Sequence, residues 1–344
     1  ARTMRASLVA VLCLATIALA FAAQPAADIA QFKSFVTSYN KRYEAEDLRV
    51  RYEIFQENLL YINTFNAEEN GVTLAVNKFA DLTHGEFVAR YTGMNVTAAE
   101  EILGMANPFA EETVAPRVAC PASTVLSNSS CDWRAKNIVN PVKNQAACGS
   151  CWAFSTTGSL EPAVALKTGT LYSFSEQQLV DCSTSYGNHG CSGGLMTNSF
   201  NYIKANGLVL GSDYPYTAKN GKCEFDTAKV VAASKVSGFQ NIQRFSEEDL
   251  TDKITTVGPI SVAIDAGRPT FRFYKSGVYY EKSCSSTYLN HGVTAVGYGS
   301  LNGDEYYIVR NSWGQDWGDQ GHILMAKNKS NNCGIATMAT FPLL

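Results

Sequence analysis

Hydrophobic and polar positions divide this chain into four stretches. Arg2 and Arg5 precede an unbroken apolar and small-residue run from Ala6 to about Ala23, in which Ala20-Phe21-Ala22 offers a small-x-small cleavage site. This anatomy predicts a secretory signal over residues 1–23. A membrane anchor fits less well, because the run is Ala-rich and no basic stop-transfer flank follows. Residues 28–66 are predicted helical. Phe32, Phe35, Val36 and Tyr39 recur at helical spacing, and Asp47, Arg51, Phe55, Asn58, Ile62 and Asn66 follow at steps of 4, 4, 3, 4 and 4 along one face. Asp47 and Arg51 are spaced for an ion pair.

Periodicity lapses over 94–130, where Pro108, Pro116, Pro121 and the Glu111-Glu112 pair mark a linker. Helical spacing returns over 151–167 and stops near Lys167-Thr168-Gly169, with a kink expected at Pro162, whose ring crowds the Gly158 carbonyl. From Val236 onward come short apolar runs bounded by Gly or Pro. They include Gly258–Asp265, Gly292–Tyr298 and Tyr306–Asn311, and they are predicted strands. Helices followed by sheet predict an α+β fold with two halves facing across a cleft.

Composition narrows the function. A 46% hydrophobic and 17% charged chain of 344 residues is globular, and a net charge of −3 gives no reason to expect nucleic acid. Residues 24–126 carry 8 Lys/Arg against 14 Asp/Glu, and residues 127–344 carry 18 against 17. An acidic N-terminal segment loses charge as pH falls, which predicts acid-promoted release and self-cleavage. Ten cysteines are present. Loss of Cys13 with the signal leaves an odd number, hence one unpaired thiol. Neither a CxxC pair nor a His cluster suggests zinc, and no metal or cofactor is expected. Asn95, Asn128 and Asn328 head glycosylation sequons.

The unpaired thiol has a strong candidate. Cys148-Gly-Ser-Cys151-Trp-Ala-Phe154 places Cys151 where a helix can begin, and the helix N-terminus favours thiolate over thiol. A thiol that attacks a peptide carbonyl needs a base, a group to orient that base, and donors for the oxyanion. Three histidines follow the linker. His189 lies in a Gly/Asn/Ser-rich loop and His322 opens an apolar strand, and both read as structural. His291, in Asn290-His291-Gly292, lies 140 residues after Cys151. Asn311 stands in Asn311-Ser312-Trp313-Gly314, and Gln145 precedes Cys151 by six residues.

The CGSCWAF run resembles that of the papain/cathepsin cysteine peptidases. The Asp47–Asn66 face resembles the prosegment helix of their cathepsin L-like branch, with Asp47 in the usual Glu slot. Asn77, Phe79 and Asp81 are similar to a second prosegment motif, with Ala75 where Gly is usual. The resemblance implies a papain-like two-lobed α+β fold. It divides the chain into a signal (1–23), an inhibitory prosegment (24–93), a linker cut during maturation (94–126) and a peptidase domain (127–344).

It also implies roles for individual residues. Cys151 is the nucleophile, and His291 is its partner base in a thiolate–imidazolium pair. Asn311 orients His291, with Trp313 and Trp317 shielding that bond, and Gln145 joins the Cys151 N–H in the oxyanion hole. Ala146-Ala147 departs from the usual Gly-Gln. Gly193 and Gly194, with Leu195, Met196, Ala263, Leu289, Asn290, Trp313 and Met338, would bind the substrate, and the apolar S2 set predicts Leu or Phe at P2. Three bridges are implied, Cys148–Cys191, Cys182–Cys223 and Cys284–Cys333, and pairing Cys120 with Cys131 uses the remaining two.

The expected protein is therefore a monomeric cysteine endopeptidase made as a zymogen in the secretory pathway, lysosomal, vacuolar or extracellular, with no membrane association after the signal is removed. Its partners would be peptide substrates, its own prosegment and cystatin-type inhibitors. A catalytically silent binding module and a Cys-His acyltransferase are the competing classes. The intact Gln145, Cys151, His291 and Asn311 set argues against the first, and product analysis with an amine acceptor separates the second.

Overall fold

The computed structural model describes residues 27–68, 71–94, 120 and 130–344. The expected signal, Asn95, Asn128 and all of the 94–126 linker except Met94 and Cys120 lie outside the described residues. Chain contacts group 27–68 and 76–83 into one compact unit, and 71–75 with the chain from His84 onward into a second.

In the first unit the helical stretch expected over 28–66 is two helices, α1 (27–38) and α2 (Ala45–Asn66). Asn40 adopts φ 48°, and the Lys41 N–H returns to the Val36 carbonyl. This left-handed closure ends α1 before the second periodic run begins. Phe55, Leu59 and Ile62 form the buried face of α2, and Phe55 meets Phe32 and Phe35 with ring centroids 5.3 and 5.1 Å apart. The polar members of the same face serve the 77–82 turn. Asn58 Nδ2 donates to the Ala80 and Leu82 carbonyls, and Arg51 donates to the Asp81 carbonyl. The Asp81 carboxylate accepts from Lys41 and Tyr43, both at 2.8 Å. One helix face thus supplies both the core and the staple of this unit.

The second unit contains β1 (Val72–Leu74), α3 (His84–Tyr91), β2 (Cys131–Asp132), α4 (Cys151–Thr168), α5 (Glu176–Cys182), α6 (Met196–Asn206), β3 (Gly238–Asn241), α7 (Glu247–Thr256), β4 (Ile260–Ile264), β5 (Tyr274–Tyr279), β6 (His291–Leu301), β7 (Asp304–Arg310), β8 (His322–Ala326) and β9 (Ala339–Leu343). Its strands form a sheet ordered β1-β5-β8-β7-β6-β4-β9-β3, with β2 also on β6. All pairs are antiparallel except β5 with β8. The runs read as strands from their apolar texture are β4, β6 and β7.

Helix α4 is buried along nearly its whole length and runs on past Pro162 to Gly169, whose φ of 76° closes it. Its seat on the sheet is polar as well as apolar. Ser155 Oγ donates to the Val293 carbonyl at 2.7 Å, and Ser261 Oγ donates to the Ser155 carbonyl at 2.7 Å. On its other side Trp152, Leu160 and Val164 pack with Phe174, Leu179, Phe200 and Ile203 into the core of the helical half. Lys143 bridges the buried carboxylates of Glu161 and Glu176 beside this helix. Helices on one side and sheet on the other place the start of α4 and the start of β6 next to each other.

Four disulfides close the unit: Cys120–Cys131, Cys148–Cys191, Cys182–Cys223 and Cys284–Cys333. Asn328 is exposed, with its side-chain amide donating to Glu305 at 2.7 Å.

Candidate active site

Among the described residues Cys151 is the free cysteine, and it is the first residue of α4. Ser150 precedes it at the N-cap position but makes no side-chain cap hydrogen bond. The amides at the head of the helix are therefore not consumed by a capping hydroxyl. The Gly292 N–H donates to Cys151 Sγ at 3.3 Å, so the thiol lies against the residue that follows His291.

His291 opens β6 opposite Ile264 of β4 and is fully buried. Its Nε2 is 2.8 Å from Asn311 Oδ1, which also accepts the Ser312 N–H at 2.8 Å. An oxygen already accepting one hydrogen bond fixes the exchange: Nε2 carries the proton, and Nδ1 keeps its lone pair. Among the described residues Nδ1 itself has no hydrogen-bond partner. The Trp313 indole stacks on the imidazole at 4.6 Å, and Trp317 meets Trp313 edge-on at 5.0 Å. Phe271 completes the wall, edge-on to both His291 and Trp313.

Gln145 is also fully buried. Its Oε1 accepts from Ser312 Oγ at 2.6 Å, which turns Nε2 toward the Cys148 carbonyl at 2.9 Å and the Tyr91 carbonyl at 3.2 Å. Ser312 therefore joins Gln145 to Asn311. The sequence reading passed over Ser312, Gly292 and Phe271, although Ser312 was visible inside the NSWG run.

The site is covered. Tyr91, at the end of α3, gives its carbonyl to Gln145 Nε2 and, at 3.2 Å, to Trp313 Nε1. The N–H groups of Gly93 and Met94 donate to the Asn290 carbonyl at 3.0 and 3.1 Å, and the Gly194 N–H donates to the Gly93 carbonyl at 3.0 Å. Residues 91–94 thus occupy the backbone groups of Asn290 and Gly194. Met94 belongs to one apolar cluster with Leu195, Met196, Ala263 and Leu289, against which Met338 also packs. Gly193, with φ 117°, holds the loop that leads into Gly194. Neither Tyr91 nor Met94 stood out in the sequence, since no periodic pattern marks them.

Burial acts on both groups. Burial pushes the Cys151 thiol up to about 12, against the pull of nearby backbone N–H groups. Burial pushes the His291 imidazole down to about 4, partly opposed by its bond to Asn311. In this covered state burial favours the neutral form of each group. His322, likewise buried, is pushed down to about 4 with Arg134 and Arg310 adding to the effect. His322 and His189 stand apart from these contacts.

Residues 127–343 match the papain family of cysteine proteases, and residues 32–87 match the cathepsin propeptide inhibitor domain. The chain is 48% identical over 342 residues to digestive cysteine proteinase 2 of Homarus americanus, covering 98% of this chain and 99% of the relative. It is 42% identical to procathepsin L of Rattus norvegicus, covering 98% of each. Among solved structures, digestive procathepsin L 3 of the Tenebrio molitor larval midgut superposes with a TM-score of 0.78 at 38% identity, over 92% of this chain and 99% of that one.

Proposed function

The chain belongs to the papain family of cysteine proteases, as a cathepsin L-like zymogen that carries its own inhibitory prosegment, and from that premise we propose how its residues divide the work. Cys151 attacks the scissile carbonyl carbon with its sulfur. The C=O π pair moves onto oxygen, which is held by the Cys151 N–H and by Gln145 Nε2 once Tyr91 has left. His291, charged after taking the thiol proton, gives that proton to the leaving amine as the C–N bond breaks. It then takes a proton from water, which attacks the thioester and releases the acid and the thiol. Asn311 holds the imidazole through Nε2. The observation that carries this reading is the Gly292 N–H on Cys151 Sγ, beside a histidine whose Nε2 is held and whose Nδ1 is free to act.

Leu195, Met196, Ala263, Leu289 and Met338 form the S2 pocket, with Gly193, Gly194, Asn290 and Trp313 around the substrate backbone. Met94, already lodged among these side chains, supports an apolar P2 preference. The prosegment extends over 24–93, the maturation cut falls within 94–126, and the peptidase domain begins near 127. The enzyme passes through the secretory pathway to a lysosome-like or extracellular compartment, works as a monomer, and is open to cystatin-type inhibitors. No helix among the described residues is long and apolar enough to cross a membrane.

Labelling the acid-activated protein with a mechanism-based epoxide tests the assignment. Cys151 is expected to be modified and the Cys151→Ser protein left untouched. Label on another residue, or hydrolysis that survives Cys151→Ser, overturns it. In a peptide series, P2 Arg cleaved as well as P2 Leu or Phe refutes the pocket reading.

A further inference from the structure

Tyr216 touches neither the thiol nor the imidazole by hydrogen bond, yet one of its atoms reaches both ends of the segment that presents the oxyanion donors. Its hydroxyl donates to the Gln145 backbone carbonyl at 2.8 Å and lies 2.6 Å from Ser150 Oγ. A phenol has one proton. With that proton on the Gln145 carbonyl, the Ser150 hydroxyl is the donor in the second bond. The ring is held in turn by Phe154 of α4, edge-on at 4.9 Å.

The two contacts have different consequences. Gln145 carries the side-chain donor for the oxyanion, and its main chain is otherwise tied by its N–H to the Ser312 carbonyl at 2.8 Å. Ser150 holds the N-cap of α4, where a serine oxygen ordinarily accepts the amide two or three residues on. Here it does not, and its hydroxyl is turned to Tyr216 instead. No serine side chain caps the head of the helix, where the Ala153 N–H goes to the Ser150 carbonyl at 2.8 Å, and the Cys151 N–H is the second oxyanion donor. A serine that returned to capping would draw the first turn toward itself.

We propose that Tyr216 is a positioning residue for the oxyanion hole, in which its hydroxyl sets the distance between the Gln145 and Cys151 donors and keeps Ser150 from capping the nucleophile's helix. The inference rests on the reading of Cys151 as nucleophile and goes beyond it by assigning a role to a side chain outside the site.

The test uses the processed enzyme with Tyr216→Phe and, separately, Ser150→Ala, each cutting one arm of the bridge. Two rates are compared: peptide hydrolysis, which needs the oxyanion donors, and iodoacetamide alkylation of Cys151, which has no oxyanion. Removing a whole oxyanion donor costs about 10²–10³ in rate, so misplacing one is expected to lower kcat roughly tenfold in Tyr216→Phe and several-fold in Ser150→Ala. KM and the alkylation rate should stay within about twofold of the parent, and a peptide aldehyde, whose adduct carries the oxyanion, should bind more weakly by the same factor as kcat. The proposal is overturned if kcat of Tyr216→Phe stays within about twofold of the parent. It is also overturned if alkylation slows in parallel with hydrolysis, since that marks a general structural role. Parent hydrolysis that persists in Cys151→Ser would instead defeat the nucleophile assignment, a distinct failure.

Discussion

Gly93 lies against Gly149 so closely that a Cβ built on Gly93 would stand 2.0 Å from the Gly149 carbonyl oxygen. The obstacle is backbone on both sides, so neither chain can yield by a rotamer change. Gly149 itself is two residues from the nucleophile and is tied to the Cys191 carbonyl. The covering strand therefore reaches the thiol only because position 93 lacks a side chain.

Gly93→Ala is accordingly expected to unseat residues 91–94 while leaving the peptidase intact. Overpacking of about 1–3 kcal/mol corresponds to roughly a 5- to 150-fold shift toward the open state. The unprocessed variant should be alkylated at Cys151 faster than the unprocessed parent by a factor in that range. Equal rates would show that the strand is held elsewhere.

The covered state should lose stability in acid. His291 and His322 are both held well below their ordinary value near 6.5, at about 4. An unfolded chain then binds more protons than the folded one at intermediate pH, so stability is present above about 6.5 and is lost as pH falls toward 4. Thermal melts of the Cys151→Ser precursor between pH 7 and 4 should show a falling Tm. The fall should be shallower in His322→Phe, and a Tm that is flat across this window would contradict the argument.

Lys143 sits between Glu161 and Glu176, whose side chains are almost fully buried. Lys143→Met removes the cation hydrogen-bonded to both carboxylates and leaves the buried Arg310 guanidinium as their neighbouring charge. Breaking a buried pair in this way costs about 3–5 kcal/mol. Denaturant unfolding of Cys151→Ser precursors with and without the change measures it, and a loss below about 1 kcal/mol, the range of exposed pairs, would place the cluster in solvent contact.

Ala146 has φ 51°, a left-handed conformation, directly after Gln145. An alanine there is strained by roughly 1–2 kcal/mol, part of which glycine gives back through its freer unfolded chain. Ala146→Gly is expected to stabilise the protein by about 0.5–1 kcal/mol, read as a rise in the denaturation midpoint. A fall would mean that the loop prefers its present residue for another reason.

Much of this protein was written locally. The 3- and 4-residue spacing of Phe55, Asn58 and Ile62 determined a helix with one apolar face, because side chains at those steps share a surface whatever lies opposite. The short apolar runs determined strands, and the CGSCWAF and NSWG runs picked out Cys151 and Asn311, since rare residue types in fixed order carry their chemistry with them. The break at Asn40 escaped notice because a left-handed turn erases no apolar position.

Tertiary structure alone decided the rest. Burial favours the thiol over the thiolate at Cys151, and burial follows from packing that includes residues 91–94, which carry no pattern of their own. Ser312 and Tyr216 acquire meaning only from what the fold sets 2.6–2.8 Å away from them. Hydrogen bonds act across space rather than along the chain, so partners 71 or 167 residues apart leave no trace in local spacing.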